Sequence, residues 1–79
     1  MTDIVSPLPG VFYRRPAPGK PTFVEEGDPI EVGQTLGIVE IMKQFTEIRS
    51  TAAGLVGAFS VEDGGTVSPG DVVVTVDEA

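Results

Sequence analysis

Lys43 stands in the run Val39-Glu40-Ile41-Met42-Lys43-Gln44-Phe45, at the join between two copies of a repeated pattern. An ε-amine there can serve in two ways. As a nucleophile it needs burial or a neighbouring cation to free its lone pair. As an attachment point it needs only to be reachable. The flanking residues offer neither burial nor a cation, so the sequence points to attachment: an enzyme carrying an activated acyl group could join that group to Nζ as an amide. Lys20, the only other lysine, is followed by Pro21 in a Pro-rich stretch and makes a poorer site. The chain has no histidine and no cysteine. That removes the commonest general base, the usual zinc ligands and thiol chemistry, and argues against a self-contained enzyme.

The repeat shows which elements must hold Lys43. Val24-Glu25-Glu26-Gly27 recurs as Val61-Glu62-Asp63-Gly64, and Gly33-Gln34 as Gly70-Asp71, both at an offset of 37. Upstream, Ser6-Pro7-Leu8-Pro9-Gly10-Val11 resembles Ser50-Thr51-Ala52-Ala53-Gly54-Leu55 at an offset of 44. The difference of seven places an insertion in the first copy, at about 14–21. This segment is Pro-rich and carries Arg14, Arg15 and Lys20, three of the five positive charges, so its composition reads as an exposed loop. An insertion that breaks internal symmetry suggests a functional loop.

Gly and Pro, 10 and 7 of 79 residues, punctuate short runs rich in Val, Ile, Thr and Phe. This reads as an all-β sandwich or barrel with strands near 2–6, 10–13, 22–25, 29–32, 35–41, 44–50, 54–61, 65–67 and 72–77. The best helical window is 38–49, but it lacks caps and is rich in β-branched and aromatic residues. It reads as two strands joined by a tight turn at Met42-Lys43. Gln44, Thr46, Ile48 and Ser50 would share one face and Phe45, Glu47 and Arg49 the other, with the buried face left open. The expected product is a flattened antiparallel barrel or sandwich of two quasi-twofold halves, with the lysine on a hairpin turn and the termini at the opposite end. Glycines 10, 27, 33, 54, 64 and 70 are expected in turns that need positive φ.

At 79 residues the chain is one domain at most, near the lower size for a self-sufficient core. A formal charge of −7 argues against nucleic-acid binding. No apolar run approaches a membrane span, and Met1-Thr2-Asp3-Ile4 opens no signal segment, so the expected home is the cytoplasm. Gly54-Leu55-Val56-Gly57 lacks the Lys-Ser/Thr of a phosphate loop. The acidic cluster Glu25, Glu26, Asp28 and Glu31 lacks calcium-loop spacing.

Glu40-Ile41-Met42-Lys43 resembles the Glu-Ala-Met-Lys motif of biotinyl domains, in the biotinyl/lipoyl attachment family. Gly10 to Pro18 resembles the stretch leading into the "thumb" of bacterial biotin carboxyl carrier domains. Phe23-Val24-Glu25-Glu26-Gly27, Gly33-Gln34-Thr35-Leu36, Gly54 and 62–76 extend the similarity over nearly the whole chain, from Val5 to Asp77. The resemblance implies a barrel-sandwich hybrid fold spanning 1–79 and a covalent biotin on Lys43. Glu40, Ile41, Met42 and Gln44 would form the recognition turn for a biotin protein ligase, and 14–21 the thumb, which in such domains can contact the biotin ring. A biotin carboxylase and a carboxyltransferase are the implied partners, the first carboxylating the ureido nitrogen and the second passing the carboxyl group to an acyl-CoA or another acceptor, as in acetyl-CoA carboxylase. The chain itself would be a carrier and no enzyme. Two residues depart from the pattern: Ile41 replaces the usual Ala, and Gln44 a common second Met. Lipoyl domains share the fold but usually have Asp before the lysine, where Met42 stands. A lipoyl carrier and an unmodified interaction module are the alternatives.

Overall fold

The computed structural model describes residues 1–17 and 19–78; Pro18, within the expected insertion, and Ala79 lie outside the described residues. Eight strands form: β1 (Thr2–Val5), β2 (Gly10–Tyr13), β3 (Pro29–Ile30), β4 (Thr35–Ile41), β5 (Gln44–Arg49), β6 (Gly54–Phe59), β7 (Gly65–Val67) and β8 (Val72–Asp77). There is no helix among the described residues. The strands make two antiparallel four-stranded sheets, ordered β1-β8-β6-β3 and β5-β4-β2-β7. Each sheet takes two strands from each half of the sequence. Exchanging the halves turns β1, β8, β6 and β3 into β5, β4, β2 and β7, so neither half can close a sheet alone.

The same symmetry runs through the hydrogen bonds outside the ladders. Ser6 N–H donates to Asp71 O and Ser50 N–H to Gln34 O, both at 2.9 Å. Gly27 N–H donates to Val56 O and Gly64 N–H to Phe12 O, both at 2.7 Å. Ser6 and Ser50 are buried, and each hydroxyl closes a turn onto the carbonyl two residues on, Leu8 O at 2.6 Å and Ala52 O at 2.5 Å. These bonds take the serines out of the ladders, which is why the first and fifth strands stop at Val5 and Arg49, one residue short of expectation. Between the sheets lie Phe12, Leu36, Val39, Val67, Val73, Val74 and Val76, all essentially without solvent contact. Aliphatic burial of this kind is the main stabilising term in so small a domain.

The strand expected at 22–25 does not form. Val24 is buried in the core, but Phe23 N–H bonds back to Arg14 O at 2.8 Å and Glu25 begins a turn closed by Asp28. Turn chemistry overrides a short apolar pair here. Likewise β3 ends at Ile30 rather than 32, because Gln34 closes a turn onto Glu31 through both its N–H and its Oε1. The strand expected at 54–61 ends at Phe59.

Gly27, Gly33, Gly64 and Gly70 have φ of 87–92°, as expected for turns. Gly10 and Gly54 differ: they open β2 and β6, and what they provide is close approach. A Cβ on Gly10 would lie 2.4 Å from Glu40 O, and one on Gly54 would lie 2.3 Å from Asp77 O. Gly27 has nothing within 4 Å of such a Cβ. Gly27→Ala should therefore cost about 1–2 kcal/mol of backbone strain. Gly54→Ala should cost a further ~1–3 kcal/mol from overpacking. Urea unfolding of the two variants checks that order.

The path of the chain sets the ends of the molecule. Ile30 lies opposite Gly54, beside the end of β8, and after one short turn β4 starts there and runs away to Ile41. The β4–β5 turn is thus at the far end from the termini. Met1 and Glu78 lie side by side, ammonium to carboxylate 3.8 Å, where the other half has its hairpin tip.

Candidate functional site

β4 and β5 pair without slippage from Ile38↔Glu47 to Ile41↔Gln44, which leaves Met42 and Lys43 as a two-residue turn. Their φ values are 50° and 65°, the only positive values at non-glycine residues among those described. Both belong to the left-handed region that a type I′ hairpin turn requires, normally occupied by Asn-Gly or Asp-Gly. Two ordinary side chains there cost about 1 kcal/mol or more each. Packing does not repay this cost, since Met42 is 90% exposed and Lys43 is exposed too. Lys43 makes no ion pair among the described residues. The turn holds a free ε-amine outward, at an outlier of backbone geometry of the kind that marks functional sites.

The other residues expected in a recognition turn lie around it on one hairpin. Ile41 is half-buried and pairs with Gln44, which is exposed. Glu40 is half-buried, opposite Phe45 on one side and Val11 on the other. The face left open by the sequence is settled by burial: Ile48 and Ser50 turn inward, so Phe45, Glu47 and Arg49 turn out. Glu47 is taken up by Arg49 at 2.5 Å.

Register also puts Tyr13, Ile38, Glu40 and Phe45 on the outward face of this sheet. The insertion arches over them. Its base is closed by the Phe23–Arg14 bond, and Lys20 N–H donates to Ala17 O at 3.1 Å. Between arch and sheet lies a groove of about 490 Å³, with Tyr13, Ile38 and Phe45 as floor and Pro16 and Ala17 on the opposite wall. Its lining is mostly apolar, with Arg15, Glu40 and Asp63 as the charged members.

The expected exposure holds for Pro16, Ala17, Gly19, Lys20 and Pro21, but the two arginines at the root of the loop depart from it. Arg14 is tucked in, its side chain 24% exposed, with the guanidinium 4.0 Å above the Phe59 ring and 3.7 Å from Glu25. Arg15 Nε is 3.7 Å from Asp63. Phe59 in turn packs on Phe12, ring centroids 6.2 Å apart. Two of the three cations are therefore matched by local acids, and a cation–π stack ties the root of the insertion to the core. Sequence reasoning missed Tyr13, Phe45 and Asp63 as site residues. Phe45 could have been found as the outward aromatic two residues after Lys43, and Asp63 as the second copy of Glu26.

The fit to a biotinyl group is good in two respects: the amine that would carry it is free, and an apolar groove of small-molecule size lies beside the turn. Residues 2–76 match a family model described as "Biotin-requiring enzyme". The chain is 49% identical over 68 residues to the biotin carboxyl carrier protein of acetyl-CoA carboxylase 1, chloroplastic, of Arabidopsis thaliana, covering 86% of this chain and 24% of that protein. It is 45% identical over 64 residues to the biotin carboxyl carrier protein of acetyl-CoA carboxylase of Nostoc sp., covering 81% and 35%. For the Haemophilus influenzae protein of the same name the figures are 39% over 72 residues, 91% and 46%. The chain thus spans between a quarter and a half of the length of these relatives. A crystal structure of the Kluyveromyces lactis urea carboxylase superposes with a TM-score of 0.78 at 27% identity, over 95% of this chain and 6% of that one. No helix of the described residues is long and apolar enough to cross a membrane. With its two interleaved sheets, its exposed lysine turn and a family match along nearly its full length, the chain belongs to the biotinyl/lipoyl attachment family of biotin-requiring enzymes.

Proposed function

We propose that this chain is a biotin carboxyl carrier domain, 1–79, with biotin attached to Lys43. The observation that carries the reading is the free ε-amine on a strained, solvent-exposed two-residue turn, preceded by Met42 rather than Asp. Met42 favours biotin over lipoate in this family, and Glu40, Ile41, Met42 and Gln44 form the turn that a biotin protein ligase reads. The ligase supplies biotin with an activated carboxyl; Nζ forms the amide bond, loses a proton, and the activating group departs.

Biotin supplies a ureido nitrogen that takes up and gives up a carboxyl group. What the chain does is mechanical. The β4–β5 ladder fixes where the arm begins, and the turn keeps Nζ clear of the sheet. Tethering holds the carried group near mM effective concentration at each partner site. In this reading the partners are a biotin carboxylase and a carboxyltransferase, as in acetyl-CoA carboxylase. They perform the chemistry, the chain is a carrier rather than an enzyme, and the cytoplasm is its expected home. The test is intact mass with peptide mapping after co-expression with a biotin protein ligase. One biotinyl unit on Lys43 is the expected result; biotin on Lys20, or lipoate on Lys43, overturns the reading.

The strain at the turn gives a sharper expectation. Met42→Asn places at that position a residue that tolerates the left-handed region, and should stabilise the domain by about 0.5–1 kcal/mol. It should also slow biotinylation, because the side chain read by the ligase is gone. Denaturation midpoints and ligase initial rates moving in opposite directions would mark Met42 as a residue kept for recognition.

A further inference from the structure

The two halves of the fold use one device twice. After Gly27 N–H bonds Val56 O, Glu26 next to it accepts the N–H of Phe59, at 3.1 Å. After Gly64 N–H bonds Phe12 O, Asp63 next to it accepts the N–H of Arg14, at 2.7 Å. Glu26 and Asp63 are the same position of the repeat, offset by 37. In each case a turn is pinned to the end of a neighbouring strand.

Only one copy does more. Arg14 is where β2 gives way to the insertion, and Asp63 reaches past it. Its Oδ1 takes the Arg14 N–H, while Oδ2 lies 3.7 Å from Arg15 Nε. Arg15 continues inward along the arch, its Nη1 donating to Lys20 O at 3.5 Å across the loop. Asp63, Arg15 and Lys20 O thus form one chain of polar contacts from the second half of the fold to the far limb of the insertion. Asp63 and Arg15 also line the groove next to Tyr13. Glu26 has no insertion to hold: it pins β6 at Phe59, where that strand ends.

We propose that Asp63 is a positioning residue that latches the 14–21 insertion over the groove, so that the group carried on Lys43 finds a closed site there. The idea rests on the biotin reading for the identity of that group, but the latch itself is a property of the unmodified chain. An architectural acid, duplicated with the rest of the fold, has acquired a second task on one side only.

Tyr13 is the sole tyrosine and the chain has no tryptophan, so near-ultraviolet emission reports on the groove alone. The experiment compares acrylamide quenching of Tyr13 in the parent chain, Asp63→Asn, Asp63→Ala and Glu26→Ala, each unmodified and after ligase-catalysed biotinylation verified by mass. Asp63→Ala and Glu26→Ala each give up one backbone hydrogen bond and should lose comparable stability in urea. Quenching should separate them: Tyr13 becomes more accessible in Asp63→Ala and stays at the parent level in Glu26→Ala. Asp63→Asn keeps an acceptor for Arg14 N–H but loses the charge facing Arg15, and should fall between. In the biotinylated proteins the arm shields Tyr13 in the parent and in Glu26→Ala, and the shielding is lost in Asp63→Ala. Equal quenching in the two alanine variants, or unchanged shielding in Asp63→Ala, overturns the latch. If no variant takes up biotin, the reading of Lys43 fails, and the unmodified series alone decides the latch.

Discussion

Lys43→Arg should give a protein that unfolds at the parent midpoint and carries no biotin at all. The two halves of this expectation come from separate features. Lys43 is exposed and makes no ion pair among the described residues, so replacing it removes no packed contact. Surface changes of this sort stay within about 0.5 kcal/mol. Arg keeps the positive charge and the left-handed position of an ordinary side chain, so turn strain and net charge are both preserved. What it lacks is an amine that can form the amide: the guanidinium stays protonated and is a poor nucleophile. Mass spectrometry after co-expression with ligase should show only the unmodified chain, and carboxylation supported by the domain should fall to background. A residual adduct mapped to Lys20 would show that the ligase does not depend on the hairpin.

Phe12→Ala should be the most damaging single truncation, for reasons at the opposite pole of the domain's physics. Phe12 is fully buried and pairs with Val39 in the middle of its sheet. Gly37 leaves the room its ring occupies: a Cβ there would lie 2.5 Å from Phe12 Cε1. No neighbouring side chain is therefore positioned to fill the hole, which places the loss toward the upper part of the ~3–5 kcal/mol range for such cavities. A domain of this size has on the order of 5–10 kcal/mol in total. About half the stability should disappear, seen as a lower urea midpoint at constant slope. The effect should spread to the insertion, because Phe12 supports Phe59, and Phe59 supports Arg14.

Much of this was legible in the chain itself. The repeat at offsets of 37 and 44 predicted two quasi-twofold halves, though not that each sheet would draw strands from both, and the β-branched residues around Met42-Lys43 predicted a hairpin rather than a helix. Those signals survive because they are periodic and local. The strand at 22–25 was misread because Phe23-Val24 looks extended while Asp28, three residues beyond Glu25, closes a turn. Gly10 and Gly54 were assigned to turns because sequence shows a missing side chain but not the carbonyl that comes within reach of it. The groove was invisible for a similar reason. Tyr13 is 32 residues from Phe45 and 50 from Asp63 in the chain, and only the ladders of β2 and β5 on β4 and the fold-back of the 62–65 turn bring them together. The basic insertion was read by composition as an exposed loop, whereas Glu25 and Asp63, both belonging to the repeat, were already placed to meet Arg14 and Arg15 at its root.

The side-by-side placement of Met1 and Glu78, at the symmetry mate of the lysine turn, bears on how force and motion pass through the molecule. Any polypeptide joined to either end is joined at the same pole, and the lysine is at the other. The body of the domain, 37 × 27 × 19 Å, then stands as a spacer between the point of attachment and the load. Reach would come from two lengths in series, the body of the domain and the side chain at its far end.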